Sequence, residues 1–173
     1  VNIQSDDFEL FGLVRCFAQD RTELDARWKD LQRQAHPDKF TAQGSAAQRI
    51  AMQWSVRINE AYQRLKDPLK RAAYLCELYG AAVNAENNTA MPTVFLMQQM
   101  EWREALDDAS TAEDLDKIGL QCRQAIHDKL QIIEHLLDVS HDYTGAVTQV
   151  RSLMFIERFT QDLNSRLDKL DQY

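Results

Sequence analysis

Pro37 divides the first half of this chain. Before it, Leu24, Trp28, Leu31 and Ala35 follow one another at steps of four, three and four; after it, Ala47, Ile50, Trp54, Ile58, Ala61 and Leu65 do the same. Such steps put each set on one face of a helix. A proline fixes its own φ and disfavours helical geometry in the residue before it, so the first helix should end at His36. Two amphipathic helices with a short connection pack as an antiparallel hairpin. Its tip then displays an imidazole, a carboxylate and an ammonium, from His36, Asp38 and Lys39, followed by Phe40. A rigid tip carrying those groups suits reading by another protein.

The remaining punctuation fills in an all-helical chain. Asp20 and Glu23 are spaced as a cap and its partner, so a helix should run from about Thr22 to Ala35. Ser45 is placed to cap the next, which continues to about Lys66. Asp67 suits a cap and Pro68 the first turn of a further helix, which Gly80 should terminate. Residues 80–92 are small and polar, with Asn84, Asn87, Asn88 and Thr89 before Pro92, and read as a linker. Thr93 is expected to cap a helix to Asp108. Ser110 and Glu113 are expected to form a capping box for a long helix with the stripe Leu115, Ile118, Cys122, Ile126, Leu130, Ile133 and Leu137. After a turn at 138–142, a last helix carries Val150, Leu153, Leu163, Leu167 and Leu170. Trp28, Trp54 and Phe159 are assigned to the core.

Charge separates the halves. Residues 1–80 carry 12 Lys and Arg against 11 Asp and Glu, a balance of +1; residues 81–173 carry 8 against 16, a balance of −8, and the two sum to the net −7. An acidic half disfavours nucleic acid, whose phosphates reward the opposite sign. No apolar run approaches the ~20 residues that span a bilayer, and no secretory segment is evident, so a cytoplasmic protein is expected. Cys16, Cys76 and Cys122 are widely spaced and form no C-x-x-C pair, which argues against a zinc site and for buried thiols in a reducing compartment. His127, Glu134, His135, Asp138 and His141 are read as surface polar groups, since residues eight apart lie ~12 Å apart along a helix axis. No metal or other cofactor is expected.

The phrases around the tip resemble a known module. His36-Pro37-Asp38 between two such helices is similar to the J domain, which activates DnaK-type ATPase chaperones. Asp7-Phe8-Glu9-Leu10-Phe11-Gly12-Leu13, Asn59-Glu60-Ala61-Tyr62 and Asp67-Pro68-Leu69-Lys70-Arg71-Ala72-Ala73-Tyr74 match its usual phrases in the usual order. Phe95-Leu96-Met97 and Arg103-Glu104-Ala105-Leu106, after the linker, resemble the HscB-type co-chaperones of iron–sulfur cluster assembly. The resemblance covers essentially the whole chain. Some eukaryotic relatives add a cysteine-pair zinc module, which this sequence lacks, so it resembles the bacterial form.

The resemblance implies an all-α, non-enzymatic co-chaperone. A J domain over residues 1–79, with its antiparallel hairpin and short helices, would be followed by a linker over 80–92 and a three-helix scaffold-binding domain over 93–173. His36, Pro37 and Asp38 would be the residues essential for stimulating an HscA-like, DnaK-type ATPase, with Lys39, Arg27, Lys29 and Arg33 steering toward its acidic surface. Leu96, Met97, Met100, Glu101, Glu104, Asp108 and Phe155 would bind an IscU-type iron–sulfur scaffold. Met100 stands where a leucine is expected and Asp108 where a glutamate is. On the residues alone, Phe95, Trp102 and Leu106 share one face of their helix and should enter the bundle. Leu96, Met97 and Met100 fall beside them, edged by carboxylates, as an adaptable apolar patch does. Two other readings stay open. One is a general J-domain co-chaperone with another client; the other treats His36-Pro37 as a plain helix stop.

Overall fold

The computed structural model describes residues 1–83 and 91–172; no strand occurs among them, and no helix is long and apolar enough to cross a membrane. The chain divides into two compact units, Val1–Leu75 and Cys76–Tyr173. Seven α-helices carry the fold of the described residues.

In the first unit, α1 (Asp7–Phe11) is capped by the Asp6 carboxylate, which accepts from the Glu9 amide, and it ends on Gly12 at φ 64°. The positive φ favours glycine there, and a Cβ would lie 2.7 Å from the Arg27 guanidinium, which would have to shift aside. Helix α2 (Arg21–Ala35) begins at the expected cap: Asp20 accepts from the Glu23 amide at 3.1 Å. It stops at His36, whose φ −62° and ψ 127° are extended, as a residue before proline requires. The connection is not an open loop. Pro37–Gln43 forms a 3₁₀ helix, and Gly44 at φ 97° turns the chain into α3 (Ser45–Lys66). Ser45 is therefore inside the helix, and no side chain caps it. Helix α4 (Pro68–Leu78) starts as expected, with the Leu69 amide donating to the Asp67 carboxylate at 2.9 Å.

Phe8, Leu24, Ile58, Leu65 and Leu75 are almost wholly buried and form the core of this unit. Among them lies a charged residue. Asp7 is 0% exposed, with Arg57 at 2.8 Å and Arg64 at 2.7 Å from its carboxylate oxygens. Its amide donates to the Tyr74 hydroxyl at 3.0 Å, and the Arg64 guanidinium lies over the Tyr74 ring. Helix α1 is thereby fastened to both α3 and α4. The tryptophans are only half-buried. Trp28 stacks on Tyr62 with centroids 4.4 Å apart, and its indole N–H donates to Asn59. Ile50, expected in the α3 stripe, is 56% exposed: periodicity assigns it to the right face, but nothing covers that end of the face.

In the second unit, α5 (Thr93–Asp108), α6 (Ala112–Asp138) and α7 (Tyr143–Leu170) form the expected three-helix bundle. Two caps differ from expectation. Pro92 takes the cap position of α5, so Thr93 opens the helix. The capping box of α6 is Thr111 with Asp114, one residue later than Ser110 with Glu113, and Asp114 also accepts from the Ser110 amide. Those amide hydrogen bonds hold the Asp114 carboxyl below its usual range. The core joins Phe95, Trp102 and Leu106 to Leu115, Ile118, Cys122, Ile133 and Leu137, and to Val150, Leu153, Ile156, Phe159 and Leu163. Leu170 lies beyond the packed part of α7 and is exposed. Burial raises the Cys76 thiol to about 11. Arg151 is buried, and its Nε and Nη2 donate to the Val83 carbonyl at 3.0 and 2.8 Å. The expected linker residues Asn84, Asn87, Asn88 and Thr89 lie outside the described residues.

Removing one member of a buried ion pair strands the charge it leaves behind. Asp7→Asn is expected to lower the stability of the first unit by about 3 kcal/mol, read from urea unfolding followed by circular dichroism.

Candidate functional site

The tip of the α2–α3 hairpin is locked through its backbone and open at its side chains. The His36 Nδ1 accepts from the Asp38 amide at 3.2 Å, the Lys39 amide donates to the His36 carbonyl at 3.1 Å, and the Thr41 hydroxyl donates to the Asp38 carbonyl. Pro37 opens the 3₁₀ helix, where its missing N–H costs nothing. The Asp38 side chain is 87% exposed, and its Oδ2 lies 3.6 Å from the His36 Nδ1. A carboxylate held on a stiff turn and still fully hydrated is suited to a charge-assisted hydrogen bond with a partner's guanidinium.

The four expected steering cations are not equivalent. Arg27 is committed inside its own unit. Its Nη1 donates to the Phe11 carbonyl at 3.0 Å, at the end of α1, and its Nε and Nη2 donate to Glu23. Arg33 pairs with Asp30 at 3.2 Å on the exposed face of α2. Lys29 and Lys39 are exposed. Nearby, the Tyr62 hydroxyl donates to Asp25 at 2.6 Å and Arg21 adds an ion pair at 2.9 Å. These hold the Asp25 carboxyl below its usual range. The net positive field of α2 is correspondingly small.

Beside the tip lies an apolar groove that periodicity did not reveal. It has a volume of about 630 Å³ and is lined by Leu31, Phe40, Ala47, Ile50 and Trp54, among others. The signal was present in the α3 stripe, but only the fold shows that its first half goes uncovered.

In the second unit, the expected binding residues of α5 are exposed. Leu96 is 44%, Met97 58% and Met100 64% exposed, and Glu101, Glu104 and Asp108 are exposed with them. Phe95, Trp102 and Leu106 turn inward instead. A groove of about 770 Å³ runs between α5 and α7. Leu96 and Met100 line it from one helix and Phe155 from the other, over a floor of Trp102, Ile156 and Phe159. Three of the seven expected residues thus meet in one groove. Met97, Glu101, Glu104 and Asp108 do not line it. Phe95 and Phe155 are in tilted contact, 6.4 Å between centroids. Sequence reading missed Gln99, Arg103, Arg158 and Asp162, which also line the groove. The spacing of three from Phe155 to Arg158 was the available signal.

The histidines singled out in the sequence take local partners. His127 contacts Gln131, and the His141 Nδ1 lies 3.0 Å from the Leu137 carbonyl.

The family model of the HSCB C-terminal oligomerisation domain matches residues 91–164. A co-chaperone protein HscB homologue of Burkholderia thailandensis is 47% identical over 174 residues, covering 99% of each chain. The chain belongs to the HscB co-chaperone family. A Burkholderia cenocepacia HscB homologue is 46% identical over the same length. The solved chaperone HscB from Vibrio cholerae has 32% identity and a TM-score of 0.82, covering 96% of this chain and 99% of that one. Human co-chaperone protein HscB superposes with a TM-score of 0.89 over 96% of this chain and 84% of that one, at 23% identity, and so shares the fold. The HscB fold is an N-terminal J domain followed by a C-terminal helical domain, and the hairpin tip described above belongs to the former. As a co-chaperone, a member of the HscB family acts with a chaperone partner.

The pairing of Arg27 separates it from its neighbours on α2. Arg27→Ala is expected to lower stability by about 1 kcal/mol through the lost hydrogen bond to the Phe11 carbonyl. Lys29→Ala is expected to stay within about 0.5 kcal/mol of wild type. Thermal unfolding of the two variants side by side checks both.

Proposed function

We propose that this chain stimulates the ATPase of an HscA-like, DnaK-type chaperone through its hairpin tip and delivers an IscU-type iron–sulfur scaffold to it. The observation that carries the first half is the Asp38 carboxylate, 87% exposed on a turn whose backbone is tied by His36 and Pro37. In this reading residues 1–79 are the activating module, with His36, Pro37, Asp38 and Lys39 at the contact and Arg27, Lys29 and Arg33 steering. Arg27 also holds α1 in place. Residues 93–173 bind the scaffold through Leu96, Met97, Met100, Glu101, Glu104, Asp108 and Phe155, and residues 80–92 connect the two.

The chain itself performs no bond chemistry and needs no cofactor. It acts in the cytoplasm and raises the local concentration of scaffold at the chaperone, because one molecule carries both sites. The exposed methionines of α5 support this reading, since unbranched thioether side chains repack readily against a partner surface. The neighbouring carboxylates on the last turns of α5 sit where the helix dipole disfavours them, by about 0.3–1 kcal/mol per group at most. A partner's basic residues would offset that cost.

Steady-state ATP hydrolysis by the cognate chaperone tests the proposal. The chain and the scaffold together are expected to stimulate it more than either alone. Asp38→Asn should abolish stimulation and leave scaffold binding intact, whereas Met97→Ala with Glu104→Ala should remove the scaffold's contribution and leave the chain's own stimulation. Loss of both activities in either folded variant would refute the division of labour, and stimulation without any scaffold effect would leave a J-domain co-chaperone with another client.

A further inference from the structure

The groove between α5 and α7 is flanked by groups of opposite charge. Glu101, Glu104 and Asp108 are exposed on the strip of α5 beside the groove, outside its lining, and none forms an ion pair among the described residues. On the α7 side stands Arg158. Its guanidinium carbon lies 5.8 Å from the centroid of the Phe155 ring, and it forms no ion pair among the described residues. The acid one turn further on, Asp162, is already taken: Arg103 reaches across from α5 and pairs with it at 3.1 Å. Arg103 also lies over the Phe159 ring. The molecule thus carries two arginines at this groove. One is satisfied and bridges the helices. The other is exposed, rests on an aromatic ring of the candidate binding face, and has its charge available.

We propose that Arg158 is a partner-contact residue that reads a carboxylate on the segment filling this groove. Resting on the scaffold-binding reading, this states the chemistry of the occupant. It is an apolar segment of the scaffold that seats against Leu96, Met100 and Phe155, with an acidic residue toward α7 and basic residues toward α5. Charge complementarity selects that occupant. A guanidinium stacked on a ring keeps its planar fork partly ordered, so less freedom is lost when it binds a carboxylate. The acidic strip of α5 beside the groove and Arg158 on α7 also fix the direction of docking, because the reversed segment would set like charges together on both sides. An apolar groove alone would accept either direction.

Binding of the full-length chain to the purified scaffold, by calorimetry at low and high salt, tests this with three variants. Arg158→Glu is expected to weaken binding about tenfold or more at low salt, and the difference should shrink at high salt as the exposed pair is screened. Arg158→Lys keeps the charge without the fork and should fall between the two. Phe155→Ala tests the face itself. Wild-type affinity in Arg158→Glu with lost affinity in Phe155→Ala overturns the arginine's role and keeps the face. Wild-type affinity in both overturns the face. Thermal unfolding should give the same midpoint for Arg158→Glu as for wild type, and a lowered midpoint would mark the residue as structural. Sedimentation of the chain alone completes the test. A dimer that Phe155→Ala dissolves would make a second copy the occupant and overturn the proposal.

Discussion

A single carboxylate with no access to water organises the first unit. Taking Asp7 out of solvent costs several kcal/mol, and only two guanidiniums together with the low-dielectric surroundings make that burial tolerable. The geometry follows from that demand. Arg57 and Arg64 lie two turns apart on α3, so both reach Asp7 only if α1 crosses that face of α3 in one register. The Tyr74 hydroxyl, from α4, adds the amide contact. A five-residue helix has little stability of its own. Here it is held by charge, and it in turn offers the Phe11 carbonyl to Arg27 on α2. The base of the hairpin is therefore set by polar contacts, while the tip is set by Pro37. The two ends are specified independently.

Much of this was legible in the residues, and each failure has a physical cause. The helices of the hairpin and of the bundle follow from apolar spacing, because a helix face is a local property. The caps at Asp20 and Asp67 were legible for the same reason. At 110–114 two overlapping pairs satisfy the capping-box spacing, Ser110 with Glu113 and Thr111 with Asp114, and local rules do not choose between them. Ser45 and Thr93 fail as caps because Gly44 and Pro92 hold those positions. Ile50 fails differently. Its spacing names the face it belongs to, and burial depends on whether another element covers that face. The structural role of Arg27 was hidden because its partner, the Phe11 carbonyl, is 16 residues away. The tip was legible because the imide geometry of proline acts on its immediate neighbours. The groove was not, because it exists only where α5 and α7 meet.

The two candidate faces rest on different physics. The tip is small, polar and stiff, and it offers one carboxylate on a tied backbone. The α5–α7 face is broad and soft, with exposed methionines over an aromatic floor. A stiff point contact suits a partner whose own site is built to receive one fixed shape. A deformable surface suits a partner that is met in more than one state. The half-buried Lys129 amine, held below its usual range by partial burial and placed over the Phe95 ring, belongs to the opposite side of α5 and plays no part in either face.

The placement of the three indoles has an optical consequence. Trp54 lines the groove beside the tip, Trp102 is in the floor of the groove between α5 and α7, and Trp28 lies stacked on Tyr62. Each groove therefore contains its own chromophore. An occupant that expels water from around Trp54 shifts emission from the first unit alone, and one that settles above Trp102 disturbs only the second. Chains retaining a single indole would let the filling of the two grooves be timed separately, in solution, without any attached dye.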